Sequence, residues 1–347
     1  MLGAIVIVGP ERCGAEPGLS GSEPTARATN SSASPGQGTP LACVDILGRS
    51  VLDRAVDDLR QVGVDPITIL ADISLAPIRS DVDQSTRLPI SWLDDAWSGA
   101  AQILTAYKEG GIIATFVIGV SAYAELDLLD ALEFHRQQHH VVTRAFDQQS
   151  ALSVWVIDMA GITGDDIVAV LQMPRQGRYL VSGYVNRLGQ LRDLRRLVVD
   201  SLNLRCRVRP QGSEIRPGVW MDEGAQVHRR ARIVAPAFIG RGSKIEQQCL
   251  ITRGSNVESN CHIDYGTVVE DSSILSNTYV GIGLDITHSI VNRSQLLNLE
   301  RDVLLEIGDP GLIRQNRIPR KESSVQSQAA FGTEALVFAQ TAKTLPE

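Results

Sequence analysis

Between residues 215 and 275 an aliphatic side chain recurs at every sixth position: Ile215, Met221, Val227, Ile233, Ile239, Ile245, Ile251, Val257, Ile263, Val269 and Leu275. Neither the 3.6-residue period of a helix nor the alternation of an ordinary strand produces this spacing. A second series follows four residues behind the first: Val219, Ala225, Ala231, Ala237, Ser243, Cys249, Ser255, Cys261, Thr267 and Ser273, nearly all small. A large apolar residue plus a small one in each hexapeptide is the pattern of a β-helix, in which every repeat supplies one short strand and one corner. No single repeat can bury its own apolar face. Stacking removes the problem, because each Ile or Val sits on its equivalent in the next layer, and full burial of such a side chain stabilises by roughly 1.5–3 kcal/mol. Gly218, Gly224, Gly242, Gly254, Asn260 and Gly266 stand one residue before the small position. Gly and Asn tolerate the positive φ that tight corners need.

The repeat accounts for about a fifth of the 347 residues, so a second domain is expected before it. A net charge of −7 argues against general nucleic-acid binding. The basic run Arg192, Arg195, Arg196, Arg205, Arg207 and Arg209 reads as a solvated face. Five cysteines (Cys13, Cys43, Cys206, Cys249 and Cys261) show no CxxC spacing, which reads as packed, reduced cysteine in a cytoplasmic protein. The apolar segment 4–8 is too short for a membrane span and reads as a strand, and no longer apolar run follows.

Strand and helix patterns alternate through the first two hundred residues. After the first strand, residues 10–38 are rich in Gly, Pro, Ser, Ala and Thr, which predicts a mobile loop. Ser50 is placed to cap a helix carrying Leu52, Ala55, Val56, Leu59 and Val62 and closed by Gly63. A strand at 67–71 completes a β-α-β unit. Then come a helix at 95–108, a strand at 112–118, a helix at 126–138 and paired strands at 141–145 and 152–157. A helix at 165–171, a strand near 179–181 and a helix at 190–202 lead into the repeat. The fold class is α/β, with a mostly parallel Rossmann-like sheet covered on both faces, and ligands on such sheets bind at the carboxyl ends of the strands.

An α/β domain followed by hexapeptide repeats resembles the sugar-1-phosphate nucleotidyltransferases, such as mannose-1-phosphate guanylyltransferase. The stretch 39–52, TPLACVDILGRSVL, looks like the family's "PKPL…PV.G.P.L" segment, and 55–71 its following helix and "GVDxIxVL" strand. Residues 97–101, WSGAA, resemble the "GTA" nucleotide segment, 116–135 the central strand and helix, and 183–194 a worn "DIxTPEDL" segment. The resemblance implies a nucleotidyltransferase-like domain at 1–204, a left-handed parallel β-helix with cap at 205–312 and a mobile tail at 313–347. It also implies a nucleotide-sugar site near Gly9, Arg12, Gly99, Ala100, Gly119 and Asn186.

The departures from that pattern fall where the chemistry resides. The Gly-rich phosphate loop reads Gly9-Pro10-Glu11-Arg12-Cys13-Gly14, where Pro10 removes an N–H donor and Glu11 adds negative charge. Arg12 remains available as a phosphate contact. The family's phosphate-neutralising Lys aligns with Thr39. Its two Mg²⁺-binding carboxylates align with Val120 and with Arg187 or Asn186, none of which is a carboxylate. The expectation is therefore a nucleotidyltransferase-like protein of sugar-nucleotide and surface-polysaccharide metabolism that binds or regulates, with no catalytic or metal residue assigned and no cofactor. Mg²⁺ belongs only to the alternative of an active enzyme with a rearranged site. Expected partners are a nucleotide or nucleotide sugar, and a second copy or an active nucleotidyltransferase subunit, with no nucleic acid and no membrane span.

A third reading takes the repeat as an acyltransferase with a His as general base. His228 and His262 lie beside inward positions and His288 follows, and each reads as an exposed surface residue. His135 and His139, four apart on a helix with His140 adjacent, have a metal-compatible spacing but no third ligand. Trp92, Trp97, Trp155 and Trp220 are scattered and read as packing residues. Beyond Val280, Ile286, Ile290, Val291, Leu296 and Leu299 suggest irregular layers or a cap.

Overall fold

The first strand, β1 (Leu2–Val8), is buried along nearly its whole length because parallel neighbours flank it on both sides. In the computed structural model, which describes residues 1–9, 40–72, 89–162, 170–171 and 176–316, it is an interior strand of a seven-stranded sheet. The order is β3-β2-β1-β4-β7-β6-β8, where β2 is Ile67–Asp72, β3 Ile90–Leu93, β4 Ala114–Gly119, β6 Val142–Phe146, β7 Ala151–Asp158 and β8 Gly177–Leu180. β1 to β4 run parallel, and β7 is antiparallel to both β4 and β6. A small antiparallel ribbon joins β5 (Tyr123–Ala124) to β9 (Val185–Asn186). The sequence pattern missed this ribbon and β3, since two- and four-residue strands leave too little alternation to detect. The loop at 10–38 with Arg12 and Cys13, Thr39, the helix predicted at 165–171 apart from its last two residues, and the tail from 317 lie outside the described residues.

Helix ends follow their capping residues. α1 (Val51–Gln61) starts at Ser50, whose hydroxyl accepts from the Asp53 amide at 3.0 Å, and it buries Leu52, Val56 and Leu59. α2 (Ala96–Glu109) and α3 (Leu128–Gln138) are capped by Asp95 and Asp127. α4 (Leu191–Leu202) opens with the Asp193 carboxylate accepting from the Gln190 amide at 2.9 Å. No helix among the described residues is long and apolar enough to cross a membrane.

From Val219 onward the strands fall into three sheets visited in rotation. Each strand pairs in parallel with one 18 residues later, as Val227 with Ile245, Ile233 with Ile251 and Ile239 with Val257. Three hexapeptides thus make one tier, and the inward Ile and Val side chains form one continuous core. The six corner positions with Gly or Asn all have positive φ. The small positions do more than fit. Ser243, Ser255, Ser272 and Thr267 accept from the Cys261, Ser272, Ser289 and Leu284 amides at 2.9, 3.1, 2.9 and 3.2 Å, and donate to buried carbonyls. These hydroxyls satisfy backbone groups at corners where the strand ladder is interrupted. Cys249 and Cys261 occupy the same positions, with thiols 3.0 and 3.1 Å from the Asp264 and Leu275 carbonyls. Burial pushes the Cys261 thiol up to about 12.

The structure corrects both ends of the six-residue series. Ile215 lies on the antiparallel strand Ser213–Arg216 that covers the first tier, and is 50% exposed. At the other end, the corner at Asp271 and Ser272 is one residue short, so Val257 pairs with Ile274 and Asn256 with Ser273, 17 residues on. Ile274 therefore points inward, while Leu275 turns outward and joins the core of the α/β sheet. Ser272, not Ser273, takes the small position. The 17-residue spacing persists through Val280, Ile286 and Val291, after which antiparallel strands Gln295–Asn298 and Val303–Glu306 end the stack. Ile313–Gln315, read from sequence as the start of the tail, pairs antiparallel with Thr278–Val280.

Met1–Asn316 forms one compact unit because one face of the repeat packs on the α/β core. Phe238, Leu275 and Ile290 share a cluster with Ile46, Leu52, Leu194 and Val198. Arg195 is the exception within the basic run, being buried rather than solvated. Its guanidinium donates to the Gly254 carbonyl at 2.8 Å and pairs with Asp271 at 2.8 Å. The rest of the run is largely exposed and partly paired, as Arg192 with Asp302 and Arg205 with Asp200. Arg195→Ala is expected to lower unfolding stability by about 2–4 kcal/mol, through lost packing and buried acceptors left without donors. Arg192→Ala, removing an exposed pair, is expected to change it by less than about 1 kcal/mol. Urea unfolding of the two variants against the parent checks the contrast.

Candidate functional site

The carboxyl ends of β1, β2 and β4 meet at one rim. Gly9 follows β1, and a Cβ there would come within 3.3 Å of Asp72 Cβ at the end of β2. Val120, just after β4, donates its amide to the Ile7 carbonyl at 2.9 Å and buries its side chain in the core. The Ser121 hydroxyl lies 3.4 Å from that of Ser153 on β7. Among the described residues the rim thus presents a backbone bond, an apolar side chain and two hydroxyls.

Three of the predicted nucleotide-site residues are packing positions in the structure. A Cβ on Gly99 would stand 2.1 Å from Leu93 Cδ1, Ala100 is fully buried, and a Cβ on Gly119 would meet Ser153 Cβ at 3.0 Å and the Trp97 ring at 3.4 Å. Together they let α2 lie close against β3 and β4. Nor does the amino end of α2 face outward as an anion cradle. The Asp95 carboxylate accepts from the Trp97 and Ser98 amides at 3.0 and 3.4 Å and from the Ser98 hydroxyl at 2.7 Å.

Asn186 opens onto a cleft of about 400 Å³ framed by the β6–β7 turn, the segment 181–187 and the start of α4. Its amide is committed at both ends, donating to the Asp193 carbonyl at 2.9 Å and accepting from the Leu188 amide at 3.1 Å. Beside it the Arg187 guanidinium holds Asp147 Oδ2 at 2.8 and 3.2 Å. Asp147 in turn caps its own turn, accepting from the Gln149 and Ser150 amides at 2.8 and 2.7 Å. Burial disfavours ionisation of Asp147, but the Ser150 amide, Arg187 and the Gln149 amide outweigh it and hold its carboxyl below the usual range. On the inner side the Tyr184 hydroxyl donates to Asp200 at 2.7 Å, and burial pushes that phenol up to about 12. The cleft is polar and is also lined by Gln148, Gln149, Ser182 and Arg196. Such groups recognise hydroxyl and amide patterns. The Asp147–Arg187 pair escaped the sequence reading, although an Asp at the tip between two paired strands was the available signal.

The histidines are more engaged than the sequence suggests. His262 is half-buried, with Nε2 3.4 Å from Glu246 Oε1 and its ring edge-on to Tyr279 at 5.5 Å. His288 Nδ1 lies 2.7 Å from Asp271 Oδ2, and His228 Nδ1 accepts from the Arg230 amide at 3.1 Å. His135 is buried against the Thr143 hydroxyl at 2.8 Å, while His139 ends α3 with φ +51°, so the two have separate local roles. Burial lowers the His135 pKa and keeps its ring neutral. No group of three or more metal-ligating side chains converges among the described residues.

Comparison with protein-family models and with curated proteins finds no match for this chain. The Gly99 contact yields a direct test. Gly99→Ala should cost about 1–3 kcal/mol, as overpacking typically does, and Leu93→Ala in the same chain should recover part of it. Thermal unfolding of the single and double variants measures the coupling.

Proposed function

We propose that this chain is a nucleotidyltransferase-like protein of sugar-nucleotide metabolism that binds a nucleotide sugar and acts as a regulatory subunit rather than as a catalyst. The observation that carries this reading is the chemistry at the end of β4 combined with the neighbouring polar cleft. The sheet has the Rossmann-like arrangement that places ligands at this rim. Yet Val120 is apolar and buried where the resembled family has a metal-binding carboxylate, and the Asn186 amide is consumed by Asp193 and Leu188. A Mg²⁺ ion does not fit this donor set, since hard cations require oxygen ligands and usually carboxylates. No chemical step is therefore derived through a metal. Gln148, Gln149, Ser182 and the Arg187–Asp147 pair suit the hydroxyls and phosphates of a nucleotide sugar.

In this reading the tiers of the repeat wind as a left-handed β-helix, which packs the α/β domain on one face and leaves two faces for a second copy or an active nucleotidyltransferase subunit. The 18-residue strand pairing supports three hexapeptides per tier, the left hand is what the family resemblance implies, and the shared core with Phe238 and Leu275 supports the packed face. The expected result is saturable binding of GDP-mannose or a related nucleotide sugar by calorimetry. Incubation with nucleoside triphosphate, sugar 1-phosphate and Mg²⁺ should release no pyrophosphate. Pyrophosphate release would replace the proposal with an active enzyme, and absence of both binding and release would sink the family reading altogether.

A further inference from the structure

The junction between the α/β sheet and the repeat encloses a carboxyl group with no solvent contact. Glu258, at the corner after Asn256–Val257, is fully buried. Its Oε1 accepts from the Leu47 amide at 2.8 Å and its Oε2 from the Gly48 amide at 2.9 Å, two residues of the turn that leads into α1. That turn has φ +56° at Leu47 and +89° at Gly48, a conformation that aims successive amides at one anion. Oε1 accepts a third bond from Asn256 Nδ2 at 2.7 Å.

Charged and titratable groups approach Glu258 from each element packed on it. From the turn, Asp45 adds repulsion, and its own carboxylate accepts from the Ser276 hydroxyl at 2.9 Å. From α1, half-buried Arg54 attracts, but its Nη2 bonds to the Ile46 carbonyl at 2.9 Å rather than to the carboxylate. Arg49, Asp58 and Tyr123 act on Glu258 at second hand, through Arg54. Within the repeat, Cys261 is the neighbouring thiol. From α4, Arg195 reaches Glu258 only through Asn256, whose Oδ1 lies 3.4 Å from Arg195 Nη1, and beyond Arg195 stand Asp271 and His288. Among the described residues the carboxylate therefore has three donors, one repelling acid and no directly bonded cation.

We propose that Glu258 is a proton-operated clasp between the two parts of the chain, holding both turn amides when ionised and surrendering one when protonated. Protonation puts hydrogen on one carboxyl oxygen and leaves it a much weaker acceptor, so one of the two attachments of the Leu47–Gly48 turn loses its strength. Burial raises the Glu258 carboxyl from 4.5 to about 7, with Asp45 adding to the rise and the Gly48, Leu47 and Asn256 donors opposing it. Because the folded value lies above the unfolded one, this group's contribution to stability is full below about 4.5 and is lost as pH rises through about 7. Acidification thus loosens the turn locally while relieving a buried charge.

The test compares the full chain with Glu258→Gln, which carries no charge at any pH. Between about pH 5.5 and pH 8.5 the parent's folding constant should fall relative to the variant's by roughly 30-fold, read from denaturant unfolding at each pH. In parent protein labelled with ¹³C at the glutamate carboxyl carbon, one signal should titrate near neutrality and be missing from the variant. Amide exchange in the parent, corrected for its intrinsic pH dependence, should show Leu47 or Gly48 losing protection on acidification while α1 keeps its own. A constant parent-to-variant ratio across this range would overturn the proposal. So would the absence of a near-neutral carboxyl titration, or parallel exchange of the turn and α1. The last two readouts on the parent stand even if the variant fails to fold.

Discussion

Asn256 is the point on which the union of the α/β sheet and the repeat depends. Its amide nitrogen donates to Glu258 and its amide oxygen accepts from the Ser273 hydroxyl at 2.6 Å and lies near Arg195. One side chain thus connects the turn before α1, through Glu258, with α4, through Arg195. Asn suits this position because it offers a donor and an acceptor in one rigid plane. A buried acid and a buried arginine are each costly alone, and the bonds that Glu258 accepts and that the two Arg195 Nη atoms donate offset much of that cost, while Arg195 Nε stays without a partner among the described residues. Asn256 and Glu258 are both fully buried, and Phe238, Leu275 and Ile290 of the repeat join the apolar core of the α/β part.

Within the repeat, an analogous division of labour holds. The inward Ile and Val residues supply burial, and the small residues supply hydrogen bonds at the corners. This explains why Ser, Thr and Cys recur where Ala alone would satisfy the steric demand. Each hydroxyl takes the amide of the next tier and donates to a buried carbonyl, so the corners stay bonded where strands only two or three residues long cannot reach. The deletion at Asp271 is absorbed in the same way, since Ser272 continues the rung from Ser255 to Ser289 and the ladder simply changes from 18 to 17 residues.

The rim of the α/β sheet presents the opposite balance. Residues that a phosphate-binding site would leave open are used for packing or capping: Gly99 against Leu93, Gly119 against Ser153, Asp95 on its own helix. The polar surface lies to one side, where the Asp147–Arg187 pair braces the cleft beside Asn186. The proposed reading as a binding rather than a catalytic site rests on this balance, since bond making requires groups free to exchange protons or charge in the transition state.

The sequence by itself determined the six-residue period, the alternation of strands and helices, and the helix starts at Ser50 and Asp95. These depend on local rules of periodicity and capping that act within a few residues. It missed the Asp147–Arg187 pair: an Asp at the tip between two paired strands was a local signal, but nothing local ties it to a partner 40 residues away. Only the tertiary structure decided that Leu275 leaves the repeat core, that Ile215 belongs to a covering strand, and that Arg195, one arginine in a basic run, is buried. It also decided that Glu258, which looks like any surface corner residue, is sealed beneath Leu47 and Gly48, 211 and 210 residues away in the chain. The physical reason lies in pairing and packing between distant segments: strand register past the shortened corner turns Leu275 outward, pairing with Val219–Met221 fixes Ile215, and contact between the repeat and the α/β part buries Arg195 and Glu258.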